Sequence, residues 1–423
     1  MRLLVQNTKS LRGEISINGA KNAVLPIIAA SLLCDSSITL SNVPDLIDVH
    51  LMSTLLKNLG AEINFIRNKE YKGNHTLKIN CSNINKYIAS SEIVSRIRAS
   101  FLILGPMLSR FGKVKTALPG GCNIGNRPIN MHISALEKMG AKIEIEGSNI
   151  TAMVKERLHG KEITFEKVSV GATENIIIAA TLADGVTKIY NPAVDPEVLD
   201  LIKFLTKMGA NISIYNDEII IKGVERLNGC THKIIPDRIE AGTYALAAVV
   251  TDGELKLKGI SLSDIRCIEK ELKIIGAKIE STKDGITVFR QSNCINPISV
   301  VTNSYPNFPT DMQPQLMSVV CFADGISTIQ ENIYDNRLTH VSELKKTGAN
   351  INIERNKATV IGTRKLSGSN FNTKDLRSTA GFILTSLAAS GESIINNSNY
   401  LCRGYEAMHE KLNLCGANIL VLI

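Results

Sequence analysis

Leu59-Gly60-Ala61-Glu62-Ile63 is the first of six stretches on one pattern: a hydrophobic or small residue, Gly-Ala, any residue, then Ile. The others are Met139-Gly140-Ala141-Lys142-Ile143, Met208-Gly209-Ala210-Asn211-Ile212, Ile275-Gly276-Ala277-Lys278-Ile279, Thr347-Gly348-Ala349-Asn350-Ile351 and Cys415-Gly416-Ala417-Asn418-Ile419. Each follows an amphipathic run, such as Ile133, Leu136 and Met139, and precedes an alternating one, such as Lys142-Ile143-Glu144-Ile145. That order reads as a helix ended by glycine and then a strand.

A second landmark repeats at Asp35-Ser36, Phe111-Gly112, Asp184-Gly185, Asp252-Gly253, Asp324-Gly325 and Ser390-Gly391, each ahead of a β-rich stretch. Apolar helical patterns such as Val24 to Leu33 and Ile176 to Leu182 come before it. Each copy therefore reads helix, strand, helix, strand over about 70 residues, longer than the common solenoid repeats. Six copies in 423 residues predict an α/β chain of two pseudo-threefold domains. The alternative is an open stack of repeats used for protein binding. Against it, the copies carry no distinctive polar caps at the chain ends.

Equivalent places also carry unlike residues. Fourteen positions before the second landmark stand Asn22, Arg98, Gly171, Ile239, Asp311 and Arg377, at the expected start of each copy's first helix. Thirteen before the Gly of Gly-Ala stand Arg127 and Arg403, with Asp48 and Arg337 at slightly shorter offsets. A packing position keeps its chemical type in every copy, as Gly-Ala does, whereas these positions are assigned to separate tasks. Helix starts offer unpaired N–H groups and a positive dipole end, so several meeting at one cleft would favour an anion.

Composition narrows the class. Hydrophobic residues are 44% and charged ones 21%, as in globular proteins, but aromatics are 4% with no Trp, which leaves little for stacking on bases. The net charge of +8 is spread along the chain without a Lys/Arg block for nucleic acid or lipid. A small anionic substrate suits it better. Met1-Arg2-Leu3-Leu4-Val5-Gln6 turns polar too soon for a secretion signal, and Ala23 to Cys34 is short for a bilayer and contains Pro26, so a cytoplasmic location is expected. Nine cysteines form an odd set without C-x-x-C spacing, which points to neither a disulfide framework nor a zinc site.

One cysteine stands apart, in Leu118-Pro119-Gly120-Gly121-Cys122-Asn123-Ile124-Gly125-Asn126-Arg127-Pro128. Three glycines permit a mobile loop with backbone close to a ligand, and Pro128 suits the first turn of a following helix. The loop has neither the Gly-Lys-Ser/Thr of a Walker A motif nor a G-x-G-x-x-G fingerprint. A cysteine beside Arg127 in such a loop is expected to be reactive.

With these residues the chain resembles the UDP-N-acetylglucosamine enolpyruvyl transferases, essentially from end to end. The carriers are Asn18 to Asn22, Arg98-Ala99-Ser100 with Met107 to Arg110, Leu118 to Pro128, Lys167 to Thr173, Pro236 to Glu240, Pro309 to Gln313, Asp375-Leu376-Arg377 and Arg403 to Glu406. The resemblance implies two inside-out α/β barrels of three units each, residues 20–236 forming one and residues 1–19 with 237–423 the other, hinged about an active-site cleft. It implies transfer of enolpyruvyl from phosphoenolpyruvate to the 3′-hydroxyl of UDP-N-acetylglucosamine, with phosphate released. The partners implied are these two small molecules, with no metal or organic cofactor, no nucleic acid and no membrane.

By the same resemblance, Cys122 is the acid that can also add to phosphoenolpyruvate, and Asp311 the base. Lys21, Arg127 and Arg403 match the cations that hold phosphoenolpyruvate, and Asn22 a contact to the sugar. Asp375 and Arg377 match support for the closed state. Arg98, Arg127, Pro128, Ile129, Asn130, Met131, Lys167, Val168, Ser169, Val170, Asp311 and Ile333 fall where the family holds the nucleotide sugar. Two positions depart: Asn130 replaces the usual Asp, turning a carboxylate contact to uracil into an amide one, and Cys402 stands where an acidic residue is frequent. The sister enzyme acting on shikimate 3-phosphate shares the fold but lacks the loop cysteine. A silent binding scaffold would need loss of Lys21, Cys122, Asp311 or Arg403, and all are present.

Overall fold

The computed structural model describes residues 1–68, 73–120, 125 and 128–422. Every Gly of the Gly-Ala pairs has a positive φ, from 91° at Gly348 to 115° at Gly60. A helix that ends in the left-handed region needs glycine there, because a Cβ would be strained. The alanine that follows packs inward, 6 or 7% exposed at Ala61, Ala141, Ala210, Ala277 and Ala349.

One copy shows the plan of all six. Helix Val170–Ala180 leads to strand Val186–Tyr190, helix Pro196–Lys207, strand Asn211–Tyr215 and strand Glu218–Lys222. The last strand inserts antiparallel between the other two. A short strand of the preceding copy, Glu162–Thr164, then pairs parallel with Val186–Tyr190. The sequence pattern finds the first four elements and misses the inserted and the handed-on strands. Pieces of three residues, such as Glu162–Thr164 and Thr231–Lys233, are too short to display a period of two.

The handed-on strands close each set of three. Thr231–Lys233 returns to the first copy's Ile38–Val43, and Ile88 bridges Lys115, both in parallel pairing. In the other set Arg12–Ser16 pairs with Glu254–Lys258, Ser299–Val301 with Ile326–Gln330, and Asn370–Asn372 with Glu392–Asn396. Arg2–Gln6 lies antiparallel between Glu392–Asn396 and Ile419–Leu422, the place that Glu218–Lys222 takes in its own sheet. The start of the chain thus supplies the inserted strand of the sixth copy. Two compact units result, residues 1–18 with 236–422 and residues 19–120 with 128–235.

Each unit is an inside-out α/β barrel, with helices at the centre and sheets around them. In one, Lys21–Ala30, Leu104–Phe111 and Val170–Ala180 make the centre; in the other, Arg238–Val250, Gln313–Val320 and Leu376–Ala388 pack on one another. Such helices must be apolar all round rather than striped. All residues of Arg238–Val250 and of Gln313–Val320 are buried. Each unit has its own apolar core.

Close helix approach depends on small residues. At Gly105 an added Cβ would lie 2.5 Å from Asn175 Oδ1 and 2.6 Å from the Asn175 carbonyl oxygen, and backbone cannot yield as a flexible side chain does. Gly105→Ala is expected to destabilise the fold by about 1–3 kcal/mol. Urea unfolding measures it, and a variant as stable as the parent would contradict the packing argument.

Candidate active site

In the unit that contains residues 236–422, polar groups gather where central helices begin. Asp311 is the second residue of the 3-10 turn Thr310–Met312, and Arg377 the second of helix Leu376–Ala388. Arg377 NH2 lies 2.8 Å from Asp311 Oδ2, and Arg377 Nε donates to the same oxygen at 3.2 Å. The Arg377 side chain is 4% exposed and that of Asp311 27%. Burial works against the guanidinium's charge, but Asp311 outweighs it, so the pKa of Arg377 is raised rather than lowered.

Arg337 extends the network. Its NH2 is 3.7 Å from Asp311 Oδ1 and its NH1 3.3 Å from Asp375 Oδ1. Asp375 caps helix Leu376–Ala388, accepting from the N–H groups of Arg377 at 2.9 Å and Ser378 at 3.1 Å. Burial pushes the Asp375 carboxyl up, yet Arg337 and the Ser378 hydroxyl and N–H together hold it below its usual range. The structure therefore brings Asp311, Asp375 and Arg377 together around Arg337.

Thr310, beside Asp311, is held from two sides. Its carbonyl accepts from Arg337 Nε and NH2 at 3.3 and 3.2 Å, and its hydroxyl donates to Glu331 Oε2 at 3.0 Å. The other oxygen of Glu331 accepts from the N–H groups of Ile333 at 2.9 Å and Tyr334 at 3.1 Å. Ile333 is thus tied to the Asp311 turn through one buried carboxylate. Arg403 ends the 3-10 helix Ser398–Arg403 and is half-buried. Two residues on, the Tyr405 hydroxyl meets Thr243 at 2.9 Å and Gln315 Nε2 at 3.1 Å, while Gln315 Nε2 also donates to the Asp311 carbonyl at 2.9 Å. Burial raises the thiol of the neighbouring Cys402.

The unit that contains residues 19–120 carries a second cluster. Lys21 opens helix Lys21–Ala30, with its ammonium 3.5 Å from the buried Asp48 carboxylate, and Asn22 beside it is exposed. Arg98 NH2 reaches the carbonyl of Pro128 at 3.4 Å. Ile129, Asn130 and Met131 enter helix Asn130–Lys138, and Lys167 and Val168 lead to Ser169, whose hydroxyl caps helix Val170–Ala180 at the N–H of Ala172. Both helix starts lie beside one another, since a Cβ at Gly171 would be 3.4 Å from the His132 ring.

Asn175, fully buried, holds these pieces in place. Its Oδ1 accepts from Gly105 N–H at 2.8 Å, and its Nδ2 lies 3.4 Å from the Phe101 carbonyl and 3.0 Å from His132 Nδ1. Sequence reading missed Asn175, Glu331 and the partnership of Lys21 with Asp48. Asn175, directly before Ile176 to Ile178, offered a local signal as an amide bordering an apolar run, whereas Glu331, between Gln330 and Asn332, offered none. Cys122 and Arg127, the loop acid and one phosphoenolpyruvate cation of the sequence reading, lie outside the described residues. Among the described residues no group of His, Cys, Asp and Glu is arranged to hold a metal ion, and no helix is long and apolar enough to cross a membrane. A cavity of about 290 Å³ lined by Lys9, Arg290, Cys294 and Arg364 adjoins Val250 and Ala388, where central helices end. The Asp311 and Arg377 cluster sits at helix starts and is not part of it.

Two buried histidines give the fold a pH dependence. Burial, with Arg98 assisting, lowers His132 to about 3, and burial lowers His340 to about 4. Both folded values lie below the ordinary 6.5, so as pH falls through 6.5 the unfolded chain binds protons that the folded chain does not, and stability is lost. The expected loss between pH 7.5 and 5.5 is about 1 kcal/mol per histidine. Urea unfolding at both pH values checks this; His132→Asn should flatten the dependence, and an unchanged slope would contradict the assignment.

Residues 5–412 match the family model of EPSP synthase (3-phosphoshikimate 1-carboxyvinyltransferase). The chain is 67% identical over 419 residues, 99% of each chain, to the UDP-N-acetylglucosamine 1-carboxyvinyltransferase of Wolbachia pipientis subsp. Culex pipiens (strain wPip). It is 46% identical over 414 residues, 98% of this chain and 97% of the relative, to the protein of that description from Anaplasma marginale (strain St. Maries). In fold it resembles the enolpyruvyl transferase NikO from Streptomyces tendae, with a TM-score of 0.89 at 21% identity over 99% of this chain and 98% of that one. EPSP synthase from Acinetobacter baumannii follows at a TM-score of 0.77 and 15% identity over all of both chains. On this evidence the chain belongs to the EPSP synthase family of carboxyvinyltransferases, and within it to the UDP-N-acetylglucosamine 1-carboxyvinyltransferases.

Proposed function

We propose that this chain transfers the enolpyruvyl group of phosphoenolpyruvate to the 3′-hydroxyl of UDP-N-acetylglucosamine and releases phosphate, the first committed step of peptidoglycan synthesis. The observation that carries the reading is 67% identity to a UDP-N-acetylglucosamine 1-carboxyvinyltransferase across 99% of both chains. In the addition, a bond forms between the sugar oxygen and C2 while C3 gains a proton and the hydroxyl loses one. In the elimination, C3 gives up a proton, the bond from C2 to the phosphate oxygen breaks, and an enol ether remains.

Each proton needs a positioned partner. Cys122 serves as the acid at C3 and Asp311 as the acceptor for the hydroxyl proton. The pairing of Asp311 with Arg377 supports an ionised, fixed acceptor, and the longer 3.7 Å contact to Arg337 falls on its other oxygen. Lys21, Arg127 and Arg403 neutralise the carboxylate and phosphate of phosphoenolpyruvate, which costs least where the cations are already fixed. The contact of Lys21 to Asp48 supports such fixing. Asn22 orients the sugar, while Asp375 and Arg377 hold Asp311. Arg98, Arg127 to Met131, Lys167 to Val170 and Ile333 bind the nucleotide sugar, a reading supported by the adjoining helix starts at Asn130 and Val170. The odd number of cysteines, without C-x-x-C spacing, suits a reducing compartment, and we propose the cytoplasm as the site of action.

Phosphate release from phosphoenolpyruvate is expected with UDP-N-acetylglucosamine and not with shikimate 3-phosphate; equal or faster release with the latter would replace this assignment. Mass spectrometry after incubation with phosphoenolpyruvate or fosfomycin should find the adduct on Cys122, and an adduct on Cys402 would move the reactive thiol. Asp311→Asn, which keeps the volume beside Arg377, should lower turnover by at least about 100-fold while changing UDP-N-acetylglucosamine binding far less. An unchanged rate would remove Asp311 from the proton transfers.

A further inference from the structure

Glu331 belongs to none of the residues that the repeat pattern or the family resemblance singles out, yet it is placed to govern two of them. It is 3% exposed, and both of its oxygens are committed. Oε1 accepts from two successive backbone N–H groups, of Ile333 and Tyr334, at 2.9 and 3.1 Å. Oε2 accepts from the Thr310 hydroxyl at 3.0 Å. Its own backbone is pinned as well: Glu331 N–H donates to the Asn356 carbonyl at 2.8 Å, and Asn356 Nδ2 donates to the Glu331 carbonyl at 3.0 Å. The carboxylate is therefore a fixed point that ties a loop to a turn.

The turn is the one that carries Asp311. Thr310 is gripped at its hydroxyl by Glu331 and at its carbonyl by Arg337, six residues further along the same segment. The segment 331–337 thus closes on Thr310 from both ends, and the next residue, Asp311, takes its direction from that grip. The loop arm fixes the backbone at Ile333. Hydrogen bonds from neutral donors to a buried carboxylate are stronger than those between neutral groups, so neither arm is easily replaced by water.

We infer that Glu331 is a positioning residue for the transfer reaction: one oxygen sets Ile333 for the nucleotide sugar, and the other sets Asp311 through Thr310. This rests on the reaction proposed above. It makes a separable prediction, because the two arms serve different kinetic constants. Loss of the loop arm weakens nucleotide-sugar binding, whereas loss of the turn arm misplaces the proton acceptor and lowers kcat.

The test is steady-state kinetics of phosphate release with both substrates varied, first on the unaltered enzyme. Absence of turnover there with UDP-N-acetylglucosamine would sink the proposed reaction and not this residue. With an active parent, Glu331→Ala should raise KM for UDP-N-acetylglucosamine by about ten- to 100-fold and lower kcat, leaving KM for phosphoenolpyruvate within about twofold. Thr310→Val, which removes one arm, should lower kcat with little change in either KM. Glu331→Gln keeps an oxygen for the two N–H groups and should restore KM for the sugar. Glu331→Asp keeps the charge but is a methylene too short to span both arms, and it should raise the same KM several-fold without unfolding the chain. General loss of folded enzyme lowers apparent kcat and moves no KM, so it cannot imitate this pattern. The inference is overturned if Glu331→Asp and Glu331→Ala leave KM for UDP-N-acetylglucosamine within about twofold, or if both KM values rise together.

Discussion

Charged groups of the central helices gather at the helix starts, because each unit puts three helices at its centre and seals them on all sides. A helix packed against two neighbours and a surrounding layer of sheets has no face left for water. The consequence is visible in Arg238–Val250, buried along its whole length, where the acidic groups stand at the entry, with Asp237 as cap and Glu240 in the first turn. Six helices of this kind give six entries per chain. Unlike residues at those entries are how one repeated fold comes to carry different side chains at equivalent places.

Arg377 shows what this confinement demands. A guanidinium with 4% exposure needs a partner within reach, since a buried unpaired charge costs several kcal/mol. It has Asp311, which faces Arg337, which pairs with Asp375, whose oxygen accepts from the backbone of Arg377 itself. The four residues form a closed ring of alternating sign. Removing one member would leave a buried neighbour with an unpaired charge, so the four residues fix one another in place. The placement of the Asp311 carboxylate is therefore inseparable from Arg377, 66 positions away in sequence.

Much of this was legible before any coordinates. Gly-Ala marks a left-handed helix end that only glycine tolerates, so its recurrence gave the number of copies, and the fixed offset landed on the helix starts at Asn22, Gly171, Ile239 and Arg377. What stayed hidden is what depends on partners far apart along the chain. Arg2–Gln6 reads as an ordinary first strand until it is seen between Glu392–Asn396 and Ile419–Leu422. Asn175 directly precedes three isoleucines and shows no local reason for an amide; its reason is Gly105, Phe101 and His132. Glu331 likewise has its meaning in Thr310, 21 residues earlier. Local periodicity records which face is buried, whereas a buried polar group records a contact, and contacts have no period.

The same burial shapes the field at the cluster around Arg98 and Lys167. Glu174 lies in the second turn of helix Val170–Ala180, below the entry formed by Lys167 to Val170, and one of its oxygens has no partner among the described residues. An ionised carboxylate there would set a negative charge beneath helix starts suited to an anion. Burial pushes its pKa well above the ordinary value, and the nearby Glu197 and Asp195 push it further in the same direction. Desolvation and the neighbouring carboxylates thus act in one direction, against a negative charge at this buried position, whereas Arg98, Lys167 and the helix N-termini contribute positive character at the entry. A carboxyl's type alone does not give its charge; its surroundings weigh on it as well, which is why charge counted along the sequence is a poor guide to charge in a folded chain.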